Sequence, residues 1–163
     1  MKIIQDKSLA RWEEYKSLRL QALEDVPQAF LDDIAETKQR SKEEWQDRLK
    51  NVYFAEENNK WIGMIATYQD KRSKLKHIMN VVGFYVLPEY RGQGVGKALL
   101  TAVINEAKQN KEVKKLQLGV ITTQESAYQL YSALGFKKVG EQKYAVKVGD
   151  RYFDEYLMEM YLD

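Results

Sequence analysis

The stretch from Val82 to Leu100, VGFYVLPEYRGQGVGKALL, constrains the fold more tightly than any other part of this chain. An apolar run, Val81 to Leu87, is stopped by Pro88 and followed by three glycines in five residues, Gly92, Gly94 and Gly96, before a helix with one apolar face begins. That order reads as strand, glycine-rich turn, helix. Glycine permits positive φ and carries no Cβ to hold a bulky anion away, so successive N–H groups can converge on one point. The helix starting near Gly94 adds unpaired N–H groups and the positive end of its dipole. A turn built this way suits a phosphate or diphosphate.

Spacing separates the phosphate loops that fit this outline. A P-loop requires glycine five positions before Gly96 and Ser or Thr after Lys97, where Arg91 and Ala98 stand. A dinucleotide fingerprint requires glycine three residues after Gly94, where Lys97 stands. What remains, Arg91-Gly92-Gln93-Gly94-Val95-Gly96, resembles the coenzyme A diphosphate loop of the GNAT superfamily of N-acetyltransferases. A second segment, Ala127-Tyr128-Gln129-Leu130-Tyr131-Ser132-Ala133-Leu134-Gly135-Phe136, resembles the A-x-x-L-Y-x-x-x-G-F segment of the same superfamily, in the family's order. The opening Leu18 to Leu23, followed by Pro27, Ala29 and Phe30, is similar to that of small bacterial members. One position departs: the family's pattern carries Asn three residues before the motif alanine, and here it is Gln124.

Composition narrows the functions. At 163 residues the chain has the size of one domain, residues 1–163, with a sizeable core. Without cysteine it has no thiol nucleophile, no disulfide and no thiolate metal site, and a single histidine leaves no basis for a zinc site. No metal is expected. The beginning, MKIIQDKSLARWEEY, lacks the apolar core of a signal peptide, and no run approaches the roughly eighteen apolar residues of a membrane span, so a cytoplasmic protein without a membrane partner is expected. A net charge of +2 with interspersed signs gives little field for a nucleic acid, which is not an expected partner.

Along the chain, Lys2 to Gln5 is a short strand and Ser8 is placed to cap a helix carrying Trp12, Tyr15, Leu18, Leu20, Ala22 and Leu23. Pro27 ends it. Gln28 to Gln39 reads as a short helix followed by loop, and Ser41-Lys42-Glu43-Glu44 as a capping box opening a helix through Trp45 and Leu49. Val52 to Glu56 and Lys60 to Gln69 form a hairpin about Asn58-Asn59, and His77 to Leu87 returns beside it. The helix from Gly94 to about Asn110 turns Val95, Leu99, Leu100, Val103, Ile104 and Ala107 to one side. Val113 to Ile121 is a strand reached by a parallel crossover, Gln124 to Leu134 a helix, and Phe136 to Val148 with Tyr152 to Leu162 an antiparallel pair. The fold class is α+β: a mixed six- to seven-stranded sheet flanked by about four helices, of GNAT-like form.

The resemblance implies direct transfer of an acetyl group from acetyl-CoA to an amine. A thioester is already activated, so the protein must place it, hold a neutral amine against its carbonyl, stabilise an oxyanion and manage two protons. By the resemblance, the main chain of Tyr85, Val86 and Leu87 pairs with pantetheine, with an oxyanion donor at the N–H near Val86. The N–H groups from Gln93 to Lys97, through Gly94, Val95 and Gly96, hold the diphosphate, with Gly92 shaping the turn and Arg91 and Lys97 adding charge. Gln124, whose amide reaches toward the pantetheine arm, and Tyr128 are further cofactor-binding candidates. Tyr131 is the candidate general acid for the departing thiolate, because a phenol of pKa about 10 is close enough to a thiol near 8.5 for transfer.

No base is assigned. His77 to Leu87 contains no carboxylate, and His77, Asp32, Asp33, Glu36 or a water chain stand as alternatives. Phe30, Trp45, Trp61, Tyr68, Tyr144 and Tyr152 are aromatic candidates for an acceptor pocket, and Asp32, Asp33 and Glu36 for attracting a cationic amine. The acceptor expected is a small primary amine, such as a polyamine, amino acid or amine antibiotic. A peptide N-terminus or lysine is the alternative acceptor, and a non-catalytic acyl-CoA-binding regulator the alternative function. Either a monomer or a homodimer is compatible.

Overall fold

A computed structural model describes residues 1–162. Its elements run β1 (Lys2–Ile4), α1 (Trp12–Asp25), α2 (Ile34–Lys38), α3 (Lys42–Leu49), β2 (Val52–Glu57), β3 (Lys60–Gln69), β4 (Ile78–Val86), α4 (Val95–Gln109), β5 (Lys115–Ile121), α5 (Glu125–Ala133), β6 (Lys137–Val148) and β7 (Arg151–Tyr161). The seven strands form one mixed sheet in the order β1-β2-β3-β4-β5-β7-β6. Seven strands and five helices agree with the α+β class expected from the pattern. The chain divides into two compact units, Met1–Ala66 with Gly83–Val103, and Thr67–Val82 with the remainder from Ile104.

The first unit is organised by aromatic burial. Tyr15 meets Trp45 edge-on at 5.4 Å and Phe54 at 5.7 Å, and Phe54 stacks on Trp61 at 3.7 Å. Trp45 and Trp61 are 0% and 2% exposed, which places both in the core rather than in an acceptor pocket. Phe30 is buried too, edge-on to Tyr85 at 6.5 Å. The capping box forms as expected: Ser41 accepts from the Glu44 N–H, and the Glu44 carboxylate accepts from the Ser41 N–H. The hairpin closes through Asn58 and Asn59 at φ 49° and 61°, left-handed values that asparagine tolerates. Ser8 does not cap α1. Its hydroxyl joins Asp6 and the Ala10 N–H in a turn, and the helix starts at Trp12 with Glu13 and Glu14 against its positive end.

In the second unit, Leu116, Leu118 and Val120 alternate inward on β5, and Met158 and Met160 do the same on β7. β5 and β7 pair antiparallel from Lys115↔Tyr161 to Ile121↔Glu155. β4 and β5 pair in parallel over Ile78↔Lys115, Met79↔Leu116 and Asn80↔Gln117. α5 stops before Gly135, where the Phe136 N–H donates to the Tyr131 carbonyl at 3.0 Å.

Candidate active site

The strand end before the glycine turn is fixed by its own hydrogen bonds. The Leu87 N–H donates to Ile62 O at 3.0 Å, and the Leu87 carbonyl accepts from the Tyr90 N–H at 2.9 Å. Because main-chain groups alternate sides along a strand, Val86 turns its N–H and carbonyl away from β3. The main chain of Leu87 is therefore engaged, and Val86 is the residue whose polar edge faces outward. Tyr85 is a core side chain. Its hydroxyl donates to Asp25 at 3.2 Å, and burial followed by the Asp25 charge pushes it up to about 12, so it stays protonated.

After a turn at Pro88–Tyr90, Gly92 and Gly94 adopt φ of +74° and +83°, and a Cβ at either would meet no atom within 4 Å. The space above the turn is open, and only glycine holds this backbone without strain. The first i→i−4 bond of α4 runs from the Ala98 N–H to Gly94 O at 3.0 Å, so the N–H groups of Val95, Gly96 and Lys97 have no intrahelical acceptor. Lys97 is exposed and forms no ion pair among the described residues. The Gln93 side chain donates back to Glu89 O at 2.8 Å.

Arg91 is arranged as a brace. Its Nε donates to Val86 O at 2.9 Å, its Nη2 pairs with Asp25 at 2.5 Å, and its guanidinium lies over the Tyr85 ring. Of the two cations expected at the diphosphate, Arg91 is thus matched by Asp25, whereas Lys97 is not paired among the described residues.

In the second unit, the Gln124 N–H donates to Ile121 O and its carbonyl accepts from the Tyr128 N–H, while its side chain makes no hydrogen bond among the described residues. Tyr128 packs against Tyr156 at 5.3 Å, and both line a groove of about 390 Å³ with Thr122, Thr123, Glu125 and Lys138. Tyr131 is buried, 6.0 Å from the Phe136 ring, and burial pushes its hydroxyl well above the ordinary phenol value. The match to a thiol drawn from an unperturbed phenol is thereby weakened. Burial therefore holds the Tyr131 hydroxyl protonated at neutral pH.

Several sequence candidates have other duties. Asp32 is enclosed by Arg19 at 2.7 Å, Arg40 at 2.9 Å and Arg48 at 3.5 Å, so its charge is already matched and is not offered to an amine. Asp33 caps α2 by accepting from the Glu36 N–H at 3.0 Å. His77 is an exposed residue before β4. Tyr68, Tyr144 and Tyr152 are exposed, and Tyr144 meets Tyr152 edge-on at 5.4 Å, with φ of 52° and its N–H held by Asp154.

A strand, a left-handed glycine turn and a helix whose first three N–H groups lack intrahelical acceptors agree with the match of residues 12–136 to the Acetyltransferase (GNAT) family. The chain belongs to this family. It is 28% identical over 143 residues to human N-acetyltransferase 8, covering 83% of this chain and 54% of that protein. The chain thus spans about half the length of the curated relatives it matches. Among solved structures, an acetyltransferase of the GNAT family from Streptococcus pneumoniae superposes with a TM-score of 0.87 at 24% identity, over 99% of each chain. The structure of yncA from Salmonella typhimurium, with its cofactor acetyl-CoA, superposes with a TM-score of 0.84 at 21% identity, over 100% of this chain and 94% of that one. At such identities these likenesses speak for the GNAT fold alone.

Proposed function

We propose that this GNAT protein transfers the acetyl group of acetyl-CoA directly to a primary amine, and that the amine is a small molecule. The observation that carries this reading is the turn at 91–97, where two left-handed glycines open the space before three helix N–H groups without intrahelical acceptors. That arrangement fits a diphosphate, with Lys97 adding charge. In the first unit Val86, through its outward N–H, is the residue to hold the pantetheine arm; in the second, Gln124 carries an amide that makes no hydrogen bond among the described residues. Acetyl-CoA, when bound, supplies an activated thioester. The first unit's part is to orient that thioester and to donate to the oxyanion from the Val86 N–H, and the resemblance gives Tyr131 the role of general acid.

Calorimetric titration of acetyl-CoA into the purified protein tests the reading, with free CoA as comparison. Micromolar binding is expected, and no binding by folded protein overturns it. Gly94→Arg fills the turn and is expected to weaken binding at least about 100-fold, a loss of roughly 2.7 kcal/mol. Unchanged affinity in that variant would remove the diphosphate from this turn. Thiol release over a panel containing spermidine, amino acids and short peptides then separates a small amine from a peptide acceptor. Binding without release would identify an acyl-CoA sensor.

A further inference from the structure

The register of β5 with β4 ends at Asn80↔Gln117, whereas its register with β7 runs on to Ile121↔Glu155. Leu118 to Ile121 keep β7 as their registered neighbour, and Gly119 lies in that stretch. A Cβ at Gly119 would collide with the Glu155 carboxylate, having Oε2 at 2.8 Å and Oε1 and the carboxyl carbon nearer still. The glycine is thus the seat on which this carboxylate rests, and it is open to solvent.

Because side chains alternate along strands, Glu155 shares its sheet face with Gly119, Gln117 and Glu159. The other polar groups there are matched. Gln117 donates to Asn80 Oδ1 at 2.7 Å, and Glu159 is held by Lys115 and the Tyr161 hydroxyl, each at 2.6 Å. Glu155 is half-buried yet makes no hydrogen bond or ion pair among the described residues. An unmatched carboxylate in such a place costs stability, and an arriving cation would relieve that cost.

We infer that Glu155 receives the acceptor's ammonium group and takes its proton, supplying the base that β4 lacks. This rests on the acetyltransferase reading above. One proton passes from the ammonium to a Glu155 oxygen and on to solvent. The freed nitrogen lone pair forms the C–N bond at the thioester carbonyl, and the C–S bond breaks with its electron pair on sulfur. The sulfur takes a proton from Tyr131, and the second proton lost by nitrogen restores the phenol. Burial raises the Glu155 carboxyl above its ordinary range, which makes it a stronger base near neutrality. The acceptors it favours are primary amines that arrive as cations.

The test compares wild type, Glu155→Gln, Glu155→Asp and Gly119→Ala by acetyl-CoA calorimetry, by thiol release with spermidine, lysine amide and an alanine-initiated peptide, and by thermal melting. Glu155→Gln is expected to bind acetyl-CoA within about twofold of wild type and to lose about 100-fold in kcat on the accepted amine. Glu155→Asp should recover part of that loss. Gly119→Ala keeps the carboxylate and displaces it, so kcat should fall about tenfold with acetyl-CoA affinity unchanged, and the double variant should be no worse than Glu155→Gln. In glutamate-labelled protein, the carboxyl 13C resonance missing from Glu155→Gln should shift when the accepted amine is added. Glu155→Gln turnover within about threefold of wild type overturns the proposal and leaves the acetyltransferase reading intact. Wild type that fails to bind acetyl-CoA, or binds it and releases no thiol, overturns that reading and this proposal together.

Discussion

Asp32 and Glu155 are both partly buried carboxylates, and the structure treats them in opposite ways. At Asp32 burial alone would raise the carboxyl, but hydrogen bonds from Arg40 and Arg19 and the charge of Arg48 bring it down to about 2. At Glu155 burial acts unopposed and the carboxyl rises. A carboxylate whose surroundings already complete its charge is a structural tie; one whose surroundings leave the charge unmatched is available to a ligand. Charge and burial are similar at the two sites, so the presence of partners is what distinguishes them.

The largest effect expected from breaking this contrast is on stability. Asp32→Ala leaves Arg19 and Arg40, whose side chains are 11% and 16% exposed, without their counter-charge. The expected loss is about 3 kcal/mol in urea unfolding. Acid should reproduce part of it. A carboxyl depressed in the folded state stabilises above its unfolded value, and that contribution disappears as pH falls from about 4 through about 2. Wild type should therefore lose stability more steeply than Asp32→Asn across that window, and parallel curves would mean that the arginine cage does not set the carboxyl's titration.

A smaller effect is expected at Tyr131, whose hydroxyl is also raised by burial. Tyr131→Phe should lower kcat about tenfold while leaving acetyl-CoA affinity nearly intact. A loss confined to affinity would make this a packing residue.

The smallest effect has the opposite sign to that at Asp32. A carboxyl raised in the folded state favours the fold at low pH, and that advantage fades as pH rises through the folded value. Glu155→Gln should accordingly be more stable than wild type at pH 7, by less than about 1 kcal/mol, with the difference closing toward pH 4. Destabilisation at pH 7 would mean that the carboxylate has a native partner, and the contrast with Asp32 would fail.

Local rules were legible where the residues that decide a feature are adjacent. Ser41 and Glu44 cap α3 within one turn of chain, Asn58 and Asn59 accept left-handed values on their own, and Gly92 and Gly94 announce the turn by spacing alone. The same reasoning misplaced Ser8, whose hydroxyl is drawn into a turn with Asp6, and it offered Trp45 and Trp61 to an acceptor pocket although both are core. An aromatic residue carries no local mark of which surface it will meet.

The sequence by itself determined the element order, the glycine turn before α4 and membership of the GNAT family, because each depends on residues a few positions apart and on backbone preferences that travel with the residue. Tertiary structure alone decided which carboxylates are spent and which are free. Arg19 and Asp32 lie 13 residues apart, Arg48 and Asp32 lie 16 apart, and Glu155 reaches Gly119 only through the register of β5 with β7. A carboxylate's chemistry follows from the charges and dipoles within a few ångströms of it, and folding brings those neighbours from distant parts of the chain.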